Sequence, residues 1–194
     1  RSGLIVDASS TRDLKSFLIT AGVAGEGAGV AGTVNVNQIN GGTDAGITNT
    51  TVNGGSANAA DAGNVTINAG DYSNMSGFVG SAGVGGVGAG AGLASDTNTI
   101  SRNVSAAVAD SDIKADTFEL DADSAQGVSS FGVGAGVAGI GGGVAGVVTV
   151  TELNNSTKAM LNNSKVNANT VSIKANHTGI VNAGNVSLGG AGLG

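Results

Sequence analysis

The chain has 194 residues, 40% hydrophobic but only 3% aromatic, with 36 glycines, no proline, no cysteine and a formal net charge of −6. This excludes a disulfide scaffold or thiolate metal site, a collagen helix, which needs proline and a glycine at every third place, and a solvated disordered coil, because only 11% of residues are charged. Eight scattered Lys and Arg residues offer no basic patch to release counterions, so nucleic acid is excluded as a partner, and a single histidine, His177, argues against a histidine metal site.

In chain order, the first patterned stretch is GLIVDASSTRDLKSF (3–17), followed by the glycine-rich window FLITAGVAGEGAGVAGTVNV (17–36). A small, polar stretch, NGGSANAADAGNVT (53–66), then reads as a surface loop. The pattern returns in VTINAGDYSNMSGF (65–78), with its own window FVGSAGVGGVGAGAGLASDT (78–97). A third round runs through FELDADSAQGVSSF (118–131) and FGVGAGVAGIGGGVAGVVTV (131–150).

Aligned on Phe17, Phe78 and Phe131, these stretches are separated by 61 and 53 residues. The same intervals relate Val6, Ile67 and Leu120, with 53 more to Ile173; Ala8, Ala69, Ala122 and Ala175 keep step, as do Leu14, Met75, Val128 and Val181. Val23, Val84 and Val137 follow, then Ile39, Ile100 and Leu153, Ile47, Val108 and Leu161, and Val52, Ile113 and Val166. The period is 53 residues, and the first copy is longer by eight, an insertion within 53–64. The repeat divides the chain into a partial unit 1–17, units 18–78, 79–131 and 132–184, and a partial unit 185–194, with Gly194 aligned to Gly141. With Arg1 in place of a start methionine, the chain reads as a piece of a longer array.

Two columns drift in chemistry: Asp7, Asn68, Asp121 and Lys174 form one, Thr51, Asp112 and Lys165 the other. A column that accepts acid, amide and amine faces water. Period-two alternation in DIKADTFELDA (112–122) and KVNANTVSIKA (165–175) predicts strands with one buried face, and TNTISRN (97–103) and ELNNSTK (152–158) read as asparagine-rich turns. Repeats that cannot bury their own face predict an all-β fold: a single β-solenoid over 1–194, a right-handed parallel β-helix built from 53-residue repeats, with two or three coils per unit.

The window 131–150 has the length of a membrane helix, but its sister copies carry Glu26 and Asp96, and its glycines weaken a helix. A silk tract, suggested by GVGAGAG (86–92), is not sustained outside the window. A thin solenoid wall, open to close approach by a backbone or a second molecule, is the reading that fits all copies.

Chemistry is sparse. Asp110, Asp112, Asp116, Glu119, Asp121 and Asp123 form the richest acidic run, which reads as a solvated face rather than a glycosidase pair; Asp110, Asp112, Asp121 and Asp123 are the weak calcium candidates. No calcium nonapeptide, phosphate loop or nucleophile elbow is present, so neither catalytic residue nor cofactor is expected. His177, in KANHTG, reads as an exposed turn residue. Asn-x-Ser/Thr sequons, from Asn49 to Asn185, suit exposed corners, and the pairs Thr97/Thr99 and Thr149/Thr151 do not recur as an ice-binding ladder.

The stretch GVGAGVAGIGGGVAGVVTVTELNNSTKAMLNNSKVNANTVSIKA (132–175) resembles repeats of large secreted adhesins of the filamentous haemagglutinin type, especially leukotoxin-like adhesins of anaerobic Gram-negative bacteria. That resemblance covers nearly the whole chain and implies a structural shaft exported through an outer-membrane transporter, by a two-partner or autotransporter route, to the cell surface or medium. It implies a host-cell surface or glycan as partner, and no catalytic or receptor-binding residue carries over. Self-association, lateral through the glycine-rich face or end to end, is expected from the solenoid itself. The alternatives are a repeat region of a cytotoxic exoprotein and a carbohydrate-active β-helix enzyme.

Overall fold

The computed structural model describes residues 3–192. The alignment of Gly194 with Gly141 and the Arg1 position lie outside the described residues. Among the described residues eight strands follow one another: β1 (Leu4–Glu26), β2 (Gly29–Thr48), β3 (Thr51–Val52), β4 (Val65–Val87), β5 (Gly90–Ala109), β6 (Asp112–Ile140), β7 (Gly143–Asn162) and β8 (Lys165–Ala191). The insertion is an irregular loop with one 3-10 turn, Ala59–Asp61, where the sequence places it.

Every strand pairing is parallel. One sheet runs β1-β4-β6, with β3 and β8 also on β6, and the second runs β2-β5-β7. The protein is a β-solenoid with two long walls. Register follows the repeat residue for residue: Val6 lies beside Ile67, Ile67 beside Leu120, and Leu120 beside Ile173.

Hydrogen-bonded neighbours are therefore one whole repeat apart, and each repeat is a single wide coil, not two or three. The strands are 20 to 29 residues long in both walls of the complete coils, against a usual length of about 3–10. The reason lies in TNTISRN and ELNNSTK, which are not turns: they sit inside β5 and β7. Asn98 and Arg102 point inward there and are fully buried, so polar residues continue the strand alternation instead of ending it. His177 likewise lies within β8, exposed but in register with Ser124, and is not a turn residue.

At the two edges where wall passes into wall, the chain turns on left-handed backbone. At one edge the corner residues are Gly27, Gly88 and Gly141, with φ of 91°, 126° and 127°; at the other they are Asn49, Asp110 and Asn163, with φ of 51°, 51° and 43°. Asn and Asp tolerate this conformation better than other side-chain-bearing residues. A hydroxyl ladder braces the second edge: the Thr50 N–H donates to Ser111 Oγ (3.1 Å) and the Ser111 N–H to Ser164 Oγ (3.0 Å).

Between these edges the cross-section is a wedge. Beside the Asx corner, Val52, Ile113 and Ala115 form a short third side, and they pack with Ile47, Ile67, Val108, Phe118 and Leu120 in the main apolar core. Each large side chain buried there contributes roughly 1.5–3 kcal/mol. Toward the glycine corner the walls converge until only glycine and alanine fit: a Cβ on Gly22, Gly83 or Gly136 would overlap the carbonyl oxygen of Val30, Ala91 or Val144 across the coil. The thin wall predicted for the glycine window is thus two walls in backbone contact.

Phe17, Phe78 and Phe131, which mark the repeat in the sequence, are on the outside. Their rings stack at centroid distances of 5.0 and 6.0 Å, and Phe17 is 70% exposed. No helix of the described residues is long and apolar enough to cross a membrane.

Candidate functional site

The six acids of the sequence reading are not gathered into one site. Asp110 is a corner residue with left-handed φ, and Asp112 is exposed at the start of β6 beside it; both line an open polar groove with Asn163, Ser164 and Lys165. Asp116 lies where the β6–β8 register skips a pair. Glu119, Asp121 and Asp123 project outward from β6 into a separate groove of about 310 Å³, shared with Asp7, Asn68 and Tyr72. The calcium quartet is split between these two grooves, and among the described residues no group of three or more His, Asp or Glu is arranged to hold a metal ion.

Asparagines from the next coil occupy several of these acids. Asn163 Nδ2 donates to Asp110 Oδ1 (2.6 Å), Asn169 Nδ2 to Asp116 Oδ1 (2.9 Å) and Asn176 Nδ2 to Asp123 Oδ1 (2.9 Å), each across one repeat. Asp121 differs: partial burial, with the neighbouring charge of Asp123, raises its pKa above the ordinary aspartate value, while Lys174 pulls the other way. Asp121 and Asp123 are two positions apart on one strand, roughly 7 Å, the spacing of an inverting carboxylate pair. They stand on the outer wall of a flat sheet, which is why the drifting column 7/68/121/174 is legible as solvent-facing.

The most elaborate polar chemistry was missed by the sequence reading, and it is inside. Arg102 is fully buried and ion-paired with fully buried Asp71. Its Nε donates to Asp71 Oδ2 (2.9 Å), its Nη2 to Asp71 Oδ2, to Ser10 Oγ (3.1 Å) and to Thr43 Oγ1 (3.3 Å), and its Nη1 to the Asn40 carbonyl (3.2 Å). Gly41, in the same column, leaves the space the guanidinium fills: a Cβ there would lie 2.6 Å from Nη1. Burial raises the Asp71 pKa, but the hydrogen bonds from Arg102 and Ser73 and the Arg102 charge outweigh it, and the net shift is downward.

A second buried cluster surrounds Asp96. Asn35 Nδ2 donates to its Oδ1 (2.9 Å), Asn98 Nδ2 to its Oδ2 (2.7 Å), and the Ser130 hydroxyl to Oδ2 as well. Asn37 Nδ2 bridges to Asn98 Oδ1 (2.8 Å) and Ser16 Oγ (2.9 Å). Both clusters join residues of successive coils across the two walls. The signal for them is present in the sequence: Asp71 and Ser73 are in phase with Val65, Ile67, Ala69 and Met75, so period two already points them inward.

Such clusters join coil to coil, Asp71 and Asp96 each accepting hydrogen bonds on both carboxylate oxygens. Among the sequons, Asn155 is half-buried and accepts from the Arg102 N–H (3.1 Å), whereas Asn49, Asn74 and Asn103 are exposed. Thr97 and Thr99 face outward, and Thr149 and Thr151 pair with inward Asp96 and Asn98, so the Thr pairs lie on opposite faces of the sheet. Comparison of this chain with family models, with curated proteins and with solved structures finds no match.

Proposed function

We propose that the chain is a non-catalytic shaft segment of a large adhesin, secreted by or displayed on a Gram-negative bacterium and similar in kind to filamentous haemagglutinin repeats. The observation that supports this reading is where the chain's ionic chemistry lies: the buried Arg102–Asp71 pair and the Asp96 amide cluster connect coil to coil, and of the outward acids Asp110, Asp116 and Asp123 are tied by Asn163, Asn169 and Asn176 of the next coil. Unbroken parallel ladders along the axis resist bending and extension, since any strain must break many main-chain hydrogen bonds together. Export through an outer-membrane transporter, and contact of the whole adhesin, through parts other than this segment, with a host surface or glycan, belong to the same proposal.

The test is enzymatic and mechanical. The purified chain is expected to leave acidic glycans intact, to withstand pulling along its axis as a cooperative unit in force spectroscopy, and to bind host cells no better than an unrelated solenoid. Glycan cleavage abolished by Asp121→Asn with Asp123→Asn overturns the reading in favour of an enzyme.

A further inference from the structure

One surface is out of keeping with a wall exposed to water. On the outer side of β2, β5 and β7, near the glycine corner, Val30, Val34, Val36, Leu93, Val144 and Val148 are each more than half exposed. No charged side chain faces outward between Val30 and Val36 or at the aligned positions of β5 and β7; Asp96, the one charge in these stretches, points inward. Leu93 stands between Gly32 and Gly146 of the adjacent coils, and with Val34 and Val148 they line an apolar groove of about 500 Å³.

We propose that a second copy of this chain docks on this face, wall against wall. The inference names the lateral partner of the shaft proposed above and rests on that reading for its setting, not for its geometry. The face carries both a knob and its hole. With a two-fold axis along the strands and between the β2 and β5 coils, Leu93 of one copy enters the open space over Gly32 of the other, where a Cβ would meet nothing within 4 Å, and the reverse contact follows by symmetry. Another copy also repeats at the same spacing of about 4.8 Å and offers a flat sheet that packs at about 10 Å.

Charge favours a copy over a lipid bilayer. Wall-to-wall docking leaves Glu26, exposed at the glycine corner, in water, whereas edge-on insertion would bury its carboxylate. Area then sets the strength. Each coil offers a strip of roughly 25 by 4.8 Å, about 120 Å². Two overlapping coils bury about 500 Å² in total, short of the roughly 1,200 Å² of a stable interface, which about five coils reach. Affinity therefore rises steeply with coil number, and this segment pairs weakly on its own.

The cysteine-free chain permits a direct test. Leu93→Cys and Gly32→Cys chains, mixed at high concentration and oxidised, are expected to form the mixed disulfide in several-fold excess over either homodimer. End-to-end stacking keeps these two positions apart and does not produce it. Val34→Lys is expected to reduce the yield at least tenfold, while Lys158→Glu on the polar part of the same wall leaves it unchanged. Should Val34→Lys lose its circular dichroism, Val34→Thr, which keeps the branched shape, is expected to lower the yield several-fold with an unmoved melting midpoint. Cross-linking that is absent, or indifferent to position 34, overturns the pairing and leaves the shaft reading untouched. Co-sedimentation of a monomeric chain with neutral phosphatidylcholine vesicles, lost in the position 34 variants, overturns it in favour of lipid. Glycan cleavage would instead remove the shaft reading and leave the pairing.

Discussion

The two edges of the coil solve one problem in opposite ways. At the Asx edge the walls are held apart and the space is filled by Phe118, Ile67, Leu120, Ile113 and their neighbours, with acids and amides outside. At the glycine edge the walls meet backbone to backbone, leaving no interior to fill, and the apolar side chains are outside: Val23, Val34, Val84, Val137 and Val148 are all exposed. The same ladder of main-chain hydrogen bonds supports both. Water is excluded by side-chain volume in one place and by the absence of side chains in the other, and the price of the second arrangement is an apolar exterior.

The buried polar clusters lie between these regimes, and breaking them is expected to have the largest effect. Arg102→Met strands the Asp71 carboxylate in the interior and is expected to cost about 3–5 kcal/mol in urea denaturation. If the cost is negligible, the interior there is wet and the clusters do not set coil register. Phe118→Ala empties the widest part of the wedge and is expected to cost about 3–4 kcal/mol by the same measurement.

Gly136→Ala sharpens the comparison by its sign. A glycine in a strand normally gains about 0.4–1 kcal/mol on replacement by alanine when the backbone allows it. Here the methyl group overlaps the Val144 carbonyl, so a loss of about 1–3 kcal/mol is expected, and a gain would mean that the walls are not in contact.

Acid titration gives a smaller, signed effect. The Asp71 pKa is lowered in the folded chain, so its contribution to stability is complete above the ordinary aspartate value and is lost as pH falls through the folded one. Stability is expected to fall below about pH 4 from this group. In Arg102→Met the guanidinium's hydrogen bonds and charge are gone while burial and the Ser73 hydrogen bond remain, so the Asp71 pKa rises and the loss of stability in acid from this group shrinks. Smallest of all, Phe78→Leu removes the middle ring of the outer stack and is expected to cost about 0.5–1.5 kcal/mol, measured as a small drop in melting midpoint.

Much of the fold is legible without coordinates because a repeat carries its own alignment. The columns through Val6, Leu14 and Ile47 correspond to strand neighbours, and the eight-residue excess falls in the loop that contains Ala59–Asp61. The solvent-facing column through Asp121 is legible for the same reason: only water tolerates Asp, Asn and Lys in turn. Coil number was not, because asparagine-rich segments have the composition of turns, and composition does not reveal that Asn98 and Arg102 find partners inside. His177 misleads in the same way. Its neighbours Asn176 and Gly179 suggest a turn, while pairing to Ser124 keeps it in a strand.

By itself, the sequence determined the period, the parallel register and which columns alternate between inside and outside, since these follow from side-chain spacing along a strand that repeats every 53 residues. Only the tertiary structure decided that a repeat closes in one coil, that charged residues are buried within it, and that the glycine windows face each other. Those outcomes depend on distances between two walls far apart along the chain, and no local pattern encodes the gap between them.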